Sequence, residues 1–492
     1  MTNPLALLPL AVAAGGGRIG TAGDGAPAFE VQQLIAAGLT LLQRSAPLVR
    51  ALSGRRSAIL LPTSPAYLTA LAASDGRGAV LINPLAAPAE IAFQCADANV
   101  GAMFTTSAFA SRLPGGMPTV LLDEAPRRAT VVADGRTSAV DLGSHHGLSL
   151  EGERDVEGRD EEVAIVYTSA MRGTALGAAV SHRNLLANAR STIEALDITG
   201  SEHVLAVLPF AHLFGLTVTA SAPLMVGGRV TTMERFNPLK AIELMMNGVT
   251  LLVGVPAVYH ALLATIMRKG VDLRDSTLRL SICGGAALPV DLQDRWADST
   301  GHELRQGYGL TEAGPVCLVN RVDRPNVRGT MGTALPRVDV GIFPPAHYGN
   351  GVTEEPEVSA LPDGTEGEIC VRGENVFRGY LHDAQGLPRR GPWLCTGDRG
   401  SRQPDGSIRF LGLLKPMFTR NGFNVYPREV ERVIGAMPGV TRVEVGSRPD
   451  PVKENDVALR IVGRVSEEDV KRWCEERLSA YKQPSVIEII PG

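Results

Sequence analysis

Helix-spaced and strand-spaced apolar runs take turns along this chain, and that alternation restricts the fold more than any other feature. From Phe29 to Leu52 apolar residues recur at helical spacing, and Ser57-Ala-Ile-Leu-Leu-Pro62 reads as a short buried strand ended by a proline. Pro65 to Ser74 is helical in pattern, Gly78 to Asn83 a strand, Pro88 to Asp97 helical, and Gly101 to Thr105 a strand again. Strands separated by helix-length segments need crossover connections, which makes them parallel and the fold α/β. After a polar, acidic, linker-like stretch from Asp134 to Glu162, the alternation resumes from Val163 to about Phe343. Further strands are expected at Val204–Leu208, Val249–Val253 and Leu278–Cys283.

The pattern then changes twice. Val338 to Phe410 carries short strands separated by Gly, Pro and Asp turns, as in a β subdomain of about 338–412. From Lys415 onward, helices at Arg428–Met437 and Glu467–Leu478 surround strands at Arg442–Val445 and Asp456–Val462, a small α+β unit. At 492 residues the chain exceeds what one core usually supports. The expected architecture is α/β: a large N-terminal domain, 1–414, of two α/β subdomains plus the small β subdomain, followed by a small α+β C-terminal domain, 415–492.

Composition excludes several classes of function. A hydrophobic content of 44%, a charged content of 20% and a net charge of -4 carry no polyanion-binding signature, so nucleic acid is not expected as a partner. The six cysteines are scattered singly, without metal-site or disulfide-framework spacing, and read as reduced thiols in a cytoplasm. No run approaches the roughly 20 apolar residues of a membrane-spanning helix. Leu5 to Ala14 is apolar, but Met1-Thr2-Asn3 lacks positive charge and Pro4 and Pro9 interrupt it, so a loose N-terminal segment is expected rather than a targeting signal.

Three segments carry chemistry. Ile165-Val-Tyr-Thr-Ser-Ala-Met-Arg-Gly-Thr-Ala-Leu-Gly-Ala-Ala-Val-Ser-His-Arg-Asn184 reads as a strand, a small-residue loop and a helix start. Such a loop presents N–H groups and hydroxyls to phosphate oxygens, and a helix N-terminus favours anions; alone, it reads more readily as a surface turn of small residues. In Gln306-Gly-Tyr-Gly-Leu-Thr-Glu-Ala-Gly314 a flat aromatic is followed by a hydroxyl and a carboxylate. Tyr308 suits a purine face, Thr311 a phosphate oxygen, and Glu312 Mg²⁺. Trp393-Leu-Cys-Thr-Gly-Asp398 puts a carboxylate after a tight turn, where it can accept two ribose hydroxyls or serve only the turn.

In order and spacing these segments resemble the superfamily of acyl-CoA synthetases, firefly-type luciferases and peptide-synthetase adenylation domains, over nearly the whole chain. Leu208-Pro-Phe-Ala-His-Leu-Phe-Gly215, Ser281-Ile-Cys-Gly-Gly-Ala-Ala-Leu288, Gly367-Glu-Ile-Cys-Val-Arg-Gly373 with Gly379-Tyr380, and Gly422-Phe-Asn-Val-Tyr-Pro-Arg-Glu-Val-Glu431 agree with it. The resemblance implies a nucleotide site of Thr168, Ser169, Arg172, Gly173, Tyr308, Gly309 and Asp398, with Thr311 and Glu312 at the α-phosphate and Mg²⁺. It implies His212, Gly284, Gly285 and Ala286 beside the acyl group. It makes Lys415 the hinge about which the small domain turns to bring a loop at Gly422 to the pantetheine tunnel. ATP or AMP, Mg²⁺ and CoA are the implied cofactors, a carboxylic acid the substrate, and a homodimer a compatible assembly. Ala211, Val255, Ala257 and Tyr259 suggest an apolar acid pocket, or plain core.

The chain departs from the family pattern around the triphosphate. The family loop typically reads Thr-Ser-Gly-Thr-Thr-Gly-x-Pro-Lys-Gly; here Thr168-Ser-Ala-Met-Arg-Gly-Thr-Ala-Leu-Gly177 stands at the same length, with Leu176 for the lysine and Arg172 as an added cation. The family's Gly-Arg before the hinge is Gly412-Leu413, and no counterpart of its C-terminal Gly-Lys follows Tyr481-Lys-Gln-Pro484 before Gly492. Each missing charged hydrogen bond to phosphate is worth about 1.5–3 kcal/mol. A missing transition-state donor costs about 10²–10³ in rate. The expected function is an ATP-dependent ligase joining a fatty or aryl acid to CoA through an acyl-adenylate. The alternatives are an enzyme specialised for transfer from a preformed adenylate, a different acceptor such as a carrier thiol or an amine, and a nucleotide- or acyl-binding relative that has lost activity.

Overall fold

A computed structural model describes residues 8–490 except 24–25, 75–77, 124–125, 144–159, 169–172, 349–353, 384–385, 416 and 451. Among the described residues two nine-stranded sheets dominate. One has a parallel centre running Leu304–Gly309, Leu280–Cys283, Leu251–Gly254, His203–Ala206, Arg229–Thr232 and Arg18–Thr21, with antiparallel strands at both edges. The other centres on parallel Glu162–Thr168, Ala79–Leu81, Arg56–Leu60, Val100–Thr105 and Thr119–Leu122. Their central strands are buried on both faces, which explains why they read as continuous apolar runs. A core spans both sheets, and a second surrounds Trp296, whose indole meets the Tyr259 ring edge-on at 4.9 Å.

The β subdomain is a five-stranded sheet of Val338–Phe343, Glu366–Gly373, Arg389–Arg390, Trp393–Arg402 and Ile408–Leu413. The last part of the chain forms a three-stranded sheet, Val440–Asp450, Glu454–Gly463 and Val486–Ile490, with its own core. The fold is therefore α/β with a small α+β unit at its end. Five helices matter below: α1 (Leu8–Ala14), α2 (Pro88–Asp97), α3 (His182–Leu196), α4 (Pro427–Gly435) and α5 (Glu467–Arg477).

Three expectations are corrected, and one open alternative is decided. The N-terminal segment is not loose where it is described: α1 packs on the helix Val31–Arg44, with Val12 and Ala13 buried. Pro9 lies in its first turn, where a missing N–H is harmless. The linker-like stretch begins with a strand, Arg136–Asp141, that extends the second sheet; residues 144–159 of it lie outside the described residues. The small-residue loop does not open onto a helix. Leu176–Ser181 is a strand antiparallel to Glu162–Thr168, so the loop is a hairpin connection, and α3 starts only afterwards with Ser181 and Asn184 as its capping box. Small residues there fit tight quarters, since a Cβ on Gly177 would lie 3.0 Å from Ile165 and Leu381 side-chain carbons. Tyr259 is core rather than pocket: it is fully buried, with its hydroxyl against the carbonyls of Leu252 and Ile282 at 3.1 and 2.7 Å.

The place of α1 can be tested directly. Val12→Asp puts an unpaired carboxylate where Val12 is 2% exposed. The expected loss is on the order of 3 kcal/mol, read as a lowered urea midpoint with unchanged m-value; an unchanged midpoint would remove α1 from the core.

Candidate active site

The end of the central strand Leu304–Gly309 places Tyr308 and Gly309 at a cleft, and the one-turn helix Thr311–Ala313 follows at once. Gly309 has to be glycine, because a Cβ there would overlap the Pro315 carbonyl oxygen at 1.9 Å. Glu312 is buried, and two hydroxyls converge on its Oε1: Thr168 donates at 3.0 Å and Tyr380 at 2.8 Å. Its Oε2 has no protein donor among the described residues. A hard carboxylate oxygen beside two hydroxyls, without a cage of further carboxylates, suits Mg²⁺, which keeps waters and phosphate oxygens in its shell. Thr168, Thr311 and Glu312 are the residues that would hold it.

Asp398, in the strand Trp393–Arg402, accepts a hydrogen bond from the Tyr308 hydroxyl at 2.7 Å and faces the Lys415 ammonium at 3.8 Å. Lys415 is no solvent decoration. Its stem lies over Gly397, where a Cβ would be 2.5 Å away, and its side chain is 8% exposed. Burial pulls its pKa down, but Asp398, Tyr426, Glu312 and Glu368 more than offset this, so the net shift is upward and the ammonium stays charged. The Tyr308 phenol is pushed well above its ordinary range by burial and by Asp398. It remains a donor.

His212 lines the same cavity as Phe214, Ile282 and Gly284. Its Nδ1 accepts the Phe214 N–H at 3.2 Å, which assigns its proton to Nε2. Desolvation lowers its pKa to about 4, so the imidazole is neutral at physiological pH. Gly285, at φ +80°, and Ala286 line the same wall. Gly422, at φ +77°, reaches it from the other side: a Cβ on Gly422 would lie 2.7 Å from Val255 Cγ1, and one on Gly285 would lie 3.9 Å from the Gly422 carbonyl oxygen. Gly173 meets α4, whose Arg432 donates from Nε to the Gly173 carbonyl at 2.7 Å. Ser169 and Arg172 lie outside the described residues.

All these groups border one cavity of about 1270 Å³ between the large and small domains. The sequence reading missed Tyr380, Tyr426, Glu90 and Lys482, which also line it. Tyr380 was visible only as part of a matching segment, and Lys482 only as a lysine outside the terminal motif. Two cysteines scattered in sequence also meet in space. Cys370 and Cys395 face each other across neighbouring strands with sulfurs 3.6 Å apart, beside Glu368.

The profile of the AMP-binding enzyme family matches residues 48–381. A feruloyl-CoA synthase of Amycolatopsis sp is 32% identical over 447 residues, 88% of this chain and 84% of that protein. A long-chain-fatty-acid–CoA ligase of Escherichia coli O6:H1 is 28% identical over 471 residues, covering 88% and 82%. Among solved structures, a malonyl-CoA ligase with methylmalonyl-CoA and AMP bound superposes with a TM-score of 0.78 at 25% identity, covering 97% of this chain and 96% of that one. The chain belongs to the AMP-binding enzyme family, and within it is an acid–thiol ligase.

The His212 environment has a measurable consequence. Its pKa is lower in the folded chain, about 4, than the unfolded reference of 6.5, so the unfolded state binds more protons between those pH values. Stability is expected to fall by up to about 3 kcal/mol as pH drops from 6.5 to 4 and to change no further from this group below 4. His212→Gln should flatten that part of the profile in urea titrations; a profile as steep as the parent's would show that His212 does not carry it.

Proposed function

We propose that this chain activates a carboxylic acid with an uncharged apolar tail, alkyl or aryl, as the acyl-adenylate and transfers the acyl group to CoA. In the first step a carboxylate oxygen attacks the α-phosphorus of ATP and pyrophosphate leaves. In the second the CoA thiolate attacks the acyl carbon and AMP leaves. Both nucleophiles come from substrates, so the protein's part is positioning and charge stabilisation.

The observation that carries this reading is the run of groups along one cavity: Tyr308 with Asp398 for the nucleoside, Thr168 with Glu312 for phosphate and Mg²⁺, neutral His212 near the acyl wall, and Gly422 against Gly285. Tyr308 offers its ring to adenine, and Asp398 has lone pairs left for ribose hydroxyls. Lys415, kept charged, faces negative charge developing near the ribose and α-phosphate. The acyl end supports an apolar acid. Phe214, Val218, Ile282 and Leu196 are apolar residues of its wall, and the described lysines and arginines of the wall all follow residue 414. A second carboxylate on the substrate would have no cation to meet there.

Gly422 against Val255 and Gly285 is the arrangement expected of the thioester-forming orientation, with Lys415 as hinge and residues from 415 onward as the turning unit. One observation favours a weakened first step. Leu176 and Leu413, where the family carries cations, both border the cavity, and neither can pair with phosphate.

Pyrophosphate release from ATP, measured with alkyl and aryl acids of graded length, tests the proposal. Release with apolar acids and none with dicarboxylic acids is expected. No release with any acid, together with measurable AMP binding, would replace ligation with nucleotide binding alone. Leu176→Lys with Leu413→Arg is expected to raise the adenylation rate at least about tenfold. No gain would mean that Leu176 and Leu413 are not the cause of a weak first step.

A further inference from the structure

A second polar cluster borders the same cavity, away from the nucleotide groups. Lys482 is 4% exposed, and its ammonium lies between two carboxylates, Glu429 at 2.7 Å and Glu90 at 2.8 Å. Glu429 belongs to α4, on the same side of Lys415 as Lys482. Glu90 belongs to α2 in the large domain, where its Oε2 accepts the Ala87 N–H at 2.8 Å at the helix start. The Ser479 hydroxyl also donates to Glu90.

These bonds respond differently to a turn about Lys415. Lys482–Glu429 travels with the small domain and survives, as Glu90–Ala87 survives in the large one. Lys482–Glu90 and Ser479–Glu90 cross between the domains and break, as does Arg432–Gly173. Lys482 is also joined mechanically to the Gly422 loop, because the ring of its neighbour Tyr481 stacks on Phe423 with centroids 4.5 Å apart. Arg420, paired with Phe423 across that loop, donates to the Tyr481 and Gln483 carbonyls at 3.3 and 2.6 Å. With the cluster closed, α4 lies on the phosphate loop: Arg432 bonds the Gly173 carbonyl, and a Cβ on Gly173 would lie 3.0 Å from the Arg428 carbonyl oxygen.

We propose that Glu90 is a positioning residue for thioester formation, holding the small domain through Lys482 and Ser479 in the orientation that seats Gly422 beside Gly285. This rests on the two-step reading of the site and adds to it the large-domain group that selects the second step. A bond made in one orientation and lost in the other shifts the population between them by its differential strength. Weakening it disfavours the transfer orientation and uncovers the phosphate loop, so the two half-reactions move in opposite senses.

Glu90→Gln is the variant of choice. It keeps an acceptor for Ala87 and Ser479 and removes the charge facing Lys482, whereas deleting Lys482 would strand two buried carboxylates and endanger folding. Pyrophosphate release without CoA reads the first step. Single-turnover acyl transfer from a synthetic acyl-adenylate to CoA reads the second. Glu90→Gln is expected to slow transfer at least tenfold while pyrophosphate release stays level or rises, with Ser479→Ala moving the same ratio by less. Equal losses in both steps, or no change in either, would overturn the proposal. A readout independent of turnover is energy transfer between dyes at Met267→Cys and Val452→Cys, positions 74% and 58% exposed in a chain whose own cysteines are buried. Glu90→Gln should change the transfer efficiency of the unliganded protein; an unchanged efficiency overturns the latch. If no acid supports either step, the two-step reading falls, and the dye measurement still decides whether Glu90 sets the orientation.

Discussion

The carboxylate of Asp398 is the point on which the rest of the cleft depends. A carboxylate that is 8% exposed has lost most of its hydration and is tolerable only with partners that replace it. Its partners come from two different places in the chain. The Tyr308 hydroxyl arrives from the end of a parallel strand, and the Lys415 ammonium from the segment that leads into the small domain. One buried charge thereby aligns the Tyr308 ring, the strand Trp393–Arg402 and the segment that begins at Lys415. Glu368 supports the same strand at Gly397, accepting the Gly397 N–H at 2.8 Å and the Ala346 N–H at 2.6 Å. The strand Trp393–Arg402, where a tight turn was expected, is thus held beside Asp398 by a second buried carboxylate.

Much of the architecture was legible because local signals agreed. Pro88–Asp97 is a helix over the residues expected, with proline at its first position and Glu90 reaching back to its start. The parallel strands were legible as apolar runs because both their faces are covered. What failed locally were elements whose stability comes from neighbours. Leu176–Ser181 has the composition of a loop, and it becomes a strand because Glu162–Thr168 pairs with one edge and Gly379–Tyr380 with the other. The segment α1 looked like a broken apolar tail, since prolines interrupt the run and its packing against the helix Val31–Arg44 leaves no local signal. The site divides in the same way. Tyr308, Glu312 and Asp398 could be picked out singly, each within a short motif. Their partnerships could not, since Tyr380 lies 68 residues from Glu312 and Asp398 lies 90 from Tyr308. Distances of that kind are set by topology, not by local pattern.

The distribution of charge around the cleft gives the two-domain arrangement its electrostatic sense. Among the described residues, every lysine and arginine on the cavity wall follows residue 414: Lys415, Arg428, Arg432, Arg477 and Lys482. The large domain contributes Glu90, Glu312 and Asp398 to the same wall and no described lysine or arginine. With Leu176 and Leu413 in place of cations, the fixed positive charge that the described residues bring to the wall comes from the small domain. Lys415, Lys482 and Arg477 of α5 are already held by carboxylates, Arg477 by its neighbour Glu476, which leaves Arg428 and Arg432 of α4 as the charges with capacity to spare. A unit charge 4 Å from phosphate is worth about 4 kcal/mol at the effective dielectric of a protein surface, and little beyond a Debye length of about 8 Å. The affinity of this cleft for phosphates therefore depends on where the small domain sits. Under the proposed turn about Lys415, the movement that repositions Gly422 would also move these charges, which would link ligand charge to domain orientation.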